Sequence, residues 1–292
     1  MPRKTLTLLV LALSLLVLLP VHAQQSQTLI VFAASSLSDA FEEIAAVFEA
    51  QHPGVDVLFN FAGTSDLAAQ LGNGAPADVF ASANNRQMQI VVDLGRISDS
   101  PQVFARNRLI LAVPDFNPSE IASLDDLARP GIKLVIAAEA VPVRDYTNAM
   151  LDAMAADPAY GEAYREAFMA NVVSEEPNVR QVAAKVALGE ADAGIIYFSD
   201  ATPDVADQVL IFPIPDAYNT IATYPIAALD DSPHAELAAE FVAFVLSDEG
   251  QSILTRWNFV RALAAAAEPL TIDGQVLNPL TLTVEELRAA FA

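Results

Sequence analysis

Two hydroxyl pairs stand where apolar, strand-like runs turn into helical patterns. Ser35-Ser36 follows Leu29-Ile30-Val31-Phe32-Ala33-Ala34, and Thr64-Ser65 opens the helical stretch in FAGTSDLAAQL. The first turn of a helix carries backbone N–H groups without intrahelical partners and the positive end of the helix dipole. Hydroxyls add further donors there. Two such openings brought together form a site for a small anion without a cationic side chain. Ser36 and Asp39 also have the spacing of a capping box, which would make Ser36 the N-cap of the first helix.

Residue types suited to catalysis are sparse. Beyond the first 23 residues the chain has two histidines, His52 and His234, and it has no cysteine. Neither histidine sits in a hydrolase or zinc-protease pattern. His52 lies in the turn sequence Gln51-His52-Pro53-Gly54 and His234 follows Pro233, so both are expected to face solvent. Gly72-Asn73-Gly74-Ala75-Pro76-Ala77 fits G-x-G-x-x-A by spacing, but it follows a helical pattern and contains a proline, so it is no dinucleotide fingerprint. Asp230-Asp231 and Glu175-Glu176 lack calcium-loop spacing and read as solvated faces. Tyr197, Tyr218 and Tyr224 are scattered along the chain, which argues against a cation held by tyrosines and carboxylates.

The elements that must position the hydroxyls alternate strand and helix, which indicates an α/β architecture. Strands are expected at 29–33, 55–61, 77–81, 109–113, 133–137, 193–198, 209–214 and 223–229. Helices are expected at 37–50, 65–72, 85–94, 146–156, 160–170, 179–188, 234–247 and 249–256. The first is the clearest: Leu37, Ala40, Phe41, Ile44, Ala45 and Phe48 recur at steps of three and four. Polar Arg106-Asn107-Arg108 and proline-rich Phe212-Pro213-Ile214-Pro215 suit two crossings between lobes, with 24–107 and 216–292 in one lobe and 108–215 in the other. Two crossings make a natural hinge.

In order and spacing, VFAASSLSDAF, FAGTSDLAAQL, GAPADVFASAN, VPVRDY, NVRQV and GEADAGIIYFSDA resemble the periplasmic molybdate-binding proteins of ABC-type uptake systems, from about residue 28 to 261. TYPIAAL and RWNF continue the match. The resemblance implies a type II two-lobed periplasmic binding fold, each lobe a mixed sheet flanked by helices, with the ligand cleft at the hinge. It implies capture of molybdate, with tungstate, for delivery to an ABC permease, and neither catalytic residues nor a cofactor. Molybdenum would enter as the oxyanion rather than as a bare cation. Carried over by position, Ser36 and Thr64 would donate hydroxyl and backbone N–H groups, Val143 and Val179 backbone N–H groups, and Tyr197 its hydroxyl. The alternatives are a binder of another tetrahedral oxyanion such as sulfate, or a secreted hydrolase. One departure stands out: the family usually has glycine after the Val143 position, and this chain has Arg144-Asp145. Arg144 is expected to point to solvent beside Asp145, the other reading being a contact to the anion.

The ends fit export. Arg3 and Lys4, the apolar run Leu6–Leu19 and Val21-His22-Ala23 form a secretory leader with cleavage expected after Ala23. An uncleaved leader would instead tether the protein to the membrane. The chain of 292 residues carries a formal charge of −22, which argues against nucleic acid or an anionic membrane as a partner; a monomer is expected. After Arg261 the resemblance fades. Residues 265–292 form an extension in which Asp273-Gly274 suits a turn between two strands and Thr283 with Glu286 suits a helix cap. About two dozen of these residues resemble the opening of a molybdopterin-binding oxidoreductase domain of the sulfite oxidase type, too few to assign an activity.

Overall fold

Two mixed sheets, each covered by helices, organise the computed structural model, which describes residues 27–262 and the backbone of two short strands beyond them. The leader at 1–23 and the Thr283–Glu286 cap lie outside the described residues.

The first sheet contains β1 (Gln27–Ala34), β2 (Val55–Ala62), β3 (Val79–Ala81), β4 (Gln102–Asn107), β10 (Ala222–Ala228) and β11 (Val260–Arg261), in the order β11-β4-β10-β3-β1-β2. β1 runs parallel to β2 and β3, while β10 runs antiparallel to β3 and β4. The second contains β5 (Leu109–Pro114), β6 (Leu134–Ala137), β7 (Val172–Glu176), β8 (Ala193–Tyr197) and β9 (Val209–Pro213), in the order β7-β6-β8-β5-β9. β6 is parallel to β7 and β8, and β5 is antiparallel to β8 and β9. Two further strands, β12 (Leu270–Ile272) and β13 (Gln275–Leu277), pair antiparallel on either side of Asp273-Gly274.

Helices follow the strands: α1 (Ser38–Gln51), α2 (Thr64–Gly72), α3 (Asn85–Asp93), α4 (Pro142–Ala156), α5 (Gly161–Ala170), α6 (Val179–Ala187), α7 (Pro203–Ala206), α8 (Ala235–Leu246) and α9 (Asp248–Arg256). The apolar stripe of α1 is buried as its period requires, at Ala40, Phe41, Ile44, Ala45 and Phe48. Phe41 packs against Phe59, Phe104 and Phe241, with ring centroids 5.7–6.1 Å apart. Aromatic packing therefore anchors the helix that directly follows the Ser36 turn.

Four sequence expectations need correction here. Strands β4 and β7 are absent from the pattern reading because QVFARN and VVSEE mix polar residues into short runs. Helix α4 begins at Pro142 rather than at 146. Proline is at home there, because its missing N–H is one that the first turn leaves unpaired anyway. Ser36 caps nothing: it lies within a 3-10 turn, Ser35–Leu37, and α1 begins at Ser38 with no side-chain cap.

The chain passes between the sheets at Arg108 and again over residues 214–221. Asn219 ties these crossings together. Its Oδ1 accepts the Leu109 N–H (3.1 Å), and its Nδ2 donates to the carbonyls of Leu109 (2.9 Å) and Ile214 (3.4 Å). Arg108 pairs with Asp216 beside it.

Helix α6 lies close on the second sheet, burying Val179, Val182, Ala183 and Val186. Gly194 on β8 permits that approach. A Cβ there would fall 2.9 Å from Val186 Cγ2, 3.0 Å from Val182 Cγ1 and 3.0 Å from the Val135 carbonyl oxygen. Gly194→Ala is therefore expected to destabilise the protein by about 1–3 kcal/mol, as over-packing does. A urea titration measures it; an unchanged midpoint would show that α6 can shift without cost.

Candidate functional site

Between the two sheets the openings of four helical segments face one small cavity. From the first sheet come the 3-10 turn after β1, carrying Ser36, and the start of α2, carrying Thr64. From the second come the start of α4, carrying Val143, the start of α6, carrying Val179, and the end of β8, carrying Tyr197. All five residues singled out in the sequence line this cavity, and no charged side chain does. The space open to the centre of a water-sized sphere is ≈ 10 Å³. Pockets for organic ligands run to hundreds of Å³, so this one suits a compact species of a few atoms.

The local sequence explains why donors face inward. Thr64 and Val179 are the first residues of their helices, and Val143 is the second residue of its own, behind Pro142. In each case the backbone N–H belongs to the unpaired first turn. Asn178 caps α6 by accepting the Gln181 N–H at 3.0 Å, which leaves the Val179 amide free of the cap. The Thr64 Oγ1 accepts the Ala83 N–H at 3.3 Å, so its own proton remains to be donated. Ser36 Oγ lies 3.0 Å from the Tyr224 hydroxyl. Tyr197 is 1% exposed, and its hydroxyl has no hydrogen-bond partner among the described residues. Burial pushes the Tyr197 phenol well above its usual pKa, with nearby tyrosines and Asp200 adding to the effect, so it remains a proton donor.

Arg144 and Arg180 directly follow cavity-lining residues, yet neither lines the cavity. Arg144 corrects the sequence expectation: it is 4% exposed and does not pair with Asp145. It donates to Glu175 (2.6 Å), to the Ala137 carbonyl (2.9 Å) and to Asn148 (3.1 Å), binding the start of α4 to the strands behind it. The positive-φ residue of this loop is Ala140 (φ 72°), not Arg144, so the missing glycine brings no backbone strain. Arg180 donates to Asp39 at 2.5 Å and lies 3.0 Å from Asp200. Asp200, wholly buried, has its pKa pushed up to about 6 by desolvation, against the pull of Arg180 and the Tyr197 N–H.

Several bonds join the lobes around the cavity. Besides Arg180–Asp39, Asn84 donates to Asp145 (2.8 Å), Arg86 pairs with Asp145 (3.1 Å), and Gln87 donates to the Ala140 carbonyl (2.9 Å). Gly63 lies so near the opposite lobe that a Cβ on it would come within 2.3 Å of the Pro177 carbonyl oxygen. The lobes are thus closed on each other.

Other sequence candidates land elsewhere. His52 is only part-exposed, stacked on Phe48 and bonded to the Phe48 carbonyl and Glu240; His234 contacts Asp78. Both face solvent only in part, His52 through its bond at the end of α1 and His234 through its contact with Asp78. Glu175 is solvent-exposed as expected while it pairs with Arg144, whereas Glu176 is buried and pairs with Lys185. Tyr197 and Tyr224, distant in sequence, sit 5.8 Å apart beside the cavity, while Tyr218 lies off with Asp157. Among the described residues no cluster of three or more His, Asp or Glu side chains could hold a metal ion. Tyr224 and Asn107 escaped sequence reasoning, because pairing across 117 positions leaves no local signal.

Comparison with known proteins agrees with this geometry. The family model of bacterial extracellular solute-binding proteins matches residues 29–260. The molybdate-binding protein ModA of Mycobacterium tuberculosis is 40% identical over 238 residues, covering 82% of this chain and 86% of the relative. Among solved structures, the periplasmic molybdate-binding protein of Azotobacter vinelandii superposes with a TM-score of 0.65 at 19% identity, over 80% of this chain and 98% of that one. The sulfate-binding protein SubI of M. tuberculosis reaches 0.73 at 19% identity, over 82% and 89%. With its two closed lobes, its ring of helix openings and this shared sequence, the chain belongs to the bacterial extracellular solute-binding proteins, in the group that includes ModA.

Proposed function

We propose that this protein captures molybdate between its lobes and presents the closed, loaded form to an ABC permease. The observation that carries the reading is a cavity where Ser36, Thr64, Val143, Val179 and Tyr197 meet and no charged side chain enters. A buried dianion is costly unless its oxygens receive hydrogen bonds. Bonds to a charged acceptor contribute roughly 1.5–3 kcal/mol each. Several of them, set in place by the fold, can reach the −8.2 kcal/mol that corresponds to about micromolar binding. The lining holds no carboxylate, imidazole or amine that could activate its hydroxyls as nucleophiles, which supports binding without catalysis.

A site of donors alone rejects a protonated phosphate, whose own O–H would find no acceptor. Sulfate carries no such proton and must be rejected by size, molybdate being larger. Sulfate is the second reading, favoured by the overlap with SubI. The name of the matching family supports action outside the cytoplasm, in keeping with a leader removed after Ala23 and a monomer working beside its permease.

Isothermal titration with molybdate, tungstate and sulfate tests the assignment. Molybdate and tungstate are expected at micromolar Kd or tighter, with sulfate at least tenfold weaker; tight sulfate without molybdate would transfer the protein to the second reading. Tyr197→Phe is expected to weaken molybdate roughly 10- to 150-fold, since one donor to a charged acceptor is lost. It should leave the unliganded melting temperature unchanged or raised, because that hydroxyl has no partner among the described residues. Equal affinity in wild type and variant would remove Tyr197 from the site. Gly63→Ala is expected to hold the lobes apart. Small-angle scattering should then show the wild type contracting with molybdate while the variant keeps its larger radius.

A further inference from the structure

We propose that Asn107 and Tyr224 are positioning residues that fix the direction of the Ser36 hydroxyl, so that its own proton is left for the cavity and donation into it is favoured over acceptance from it. The inference rests on the oxyanion reading above.

The argument follows protons from one end of a chain of bonds. The Oδ1 of Asn107 accepts the Arg108 backbone N–H at 2.9 Å, which settles how the amide is turned. Its Nδ2 therefore faces the other way, to Ser199 Oγ at 2.8 Å and the Tyr224 hydroxyl at 3.5 Å. An amide NH₂ donates and cannot accept. Tyr224 is 0% exposed, and its hydroxyl has two polar neighbours, Asn107 Nδ2 and Ser36 Oγ at 3.0 Å. The phenolic proton can go only to Ser36. Ser36, itself buried, thus receives a proton from behind and has its own O–H left for the cavity. Burial keeps the Tyr224 phenol protonated far above its usual pKa, so the chain of donors persists across the working pH range.

The same device recurs in simpler form at Thr64, where a backbone N–H from Ala83 occupies the hydroxyl oxygen. Free hydroxyls are ambivalent, able to donate or to accept. An upstream donor fills one of the two lone pairs and leaves the hydroxyl's own proton for the ligand, which biases the site against a ligand bearing its own proton. Selectivity then originates outside the cavity lining, at the crossing between lobes where Asn107 stands.

Tyr224→Phe tests this. The variant removes the proton sent to Ser36 while keeping the ring, and thermal melting checks that it folds. Molybdate affinity should fall roughly two- to tenfold. The distinguishing readout is the ratio of molybdate to hydrogen phosphate affinity at pH 8, measured by competition. It should drop by about threefold or more, because Ser36, no longer held as a donor, turns more readily to accept from the phosphate O–H. In a Ser36→Ala background, Tyr224→Phe should leave that ratio unchanged. Asn107→Asp is the independent second variant: it keeps an acceptor for Arg108 but draws the Tyr224 proton away from Ser36, and should lower the same ratio. Any charge repulsion it adds acts on both dianions and cancels. An unaltered ratio in both variants overturns the positioning role while leaving molybdate capture standing. A wild-type protein that binds no molybdate overturns both.

Discussion

An anion taken out of water has to be met by hydrogen-bond donors, and the donors have to be held still before it arrives. This constraint explains most of the architecture between the sheets. Four helical openings are aimed at one point, each fixed by a different device: an aromatic core under α1, a side-chain cap at Asn178, a proline at the first position of α4, and Thr64 bonded by Ala83. Backbone amides suit the task because they cannot be deprotonated and lose little freedom on binding. A ring of lysines would give more attraction at the cost of less fixed geometry and less selectivity.

Arginine is nevertheless present one shell further out. Arg144 and Arg180 follow Val143 and Val179 directly, yet both guanidinium groups are paired with carboxylates and neither lines the cavity. Each one binds a helix start to its surroundings rather than contributing a free charge. The field in the cavity is left to dipoles and hydroxyls, which is consistent with a protein whose overall charge is strongly negative.

Much of this was legible in the amino-acid order. Helix α1 announced itself through Phe41, Ile44 and Phe48, and the alternation of strand and helix indicated the α/β class. The five site residues came from motif resemblance, and for Val143 and Val179 there was no other route, because a backbone donor leaves no mark on residue type. What escaped was long-range. Arg144 looks like a surface charge beside Asp145 until the fold places Glu175 and the Ala137 carbonyl around it. The tyrosines look scattered until β8 and β10 bring Tyr197 and Tyr224 to the same floor. Ser36 had the spacing of a cap, but a 3-10 turn shifts the helix start by one residue, from 37 to Ser38, and frees the hydroxyl for Tyr224.

The paired crossings bound by Asn219 have a mechanical consequence. A single tether would let one half of the molecule swivel, slide or twist against the other. Two tethers locked side by side remove those degrees of freedom and leave essentially one angle to vary. If the halves open and close about that angle, donors mounted on opposite halves return to the same relative coordinates each time, with no search for register.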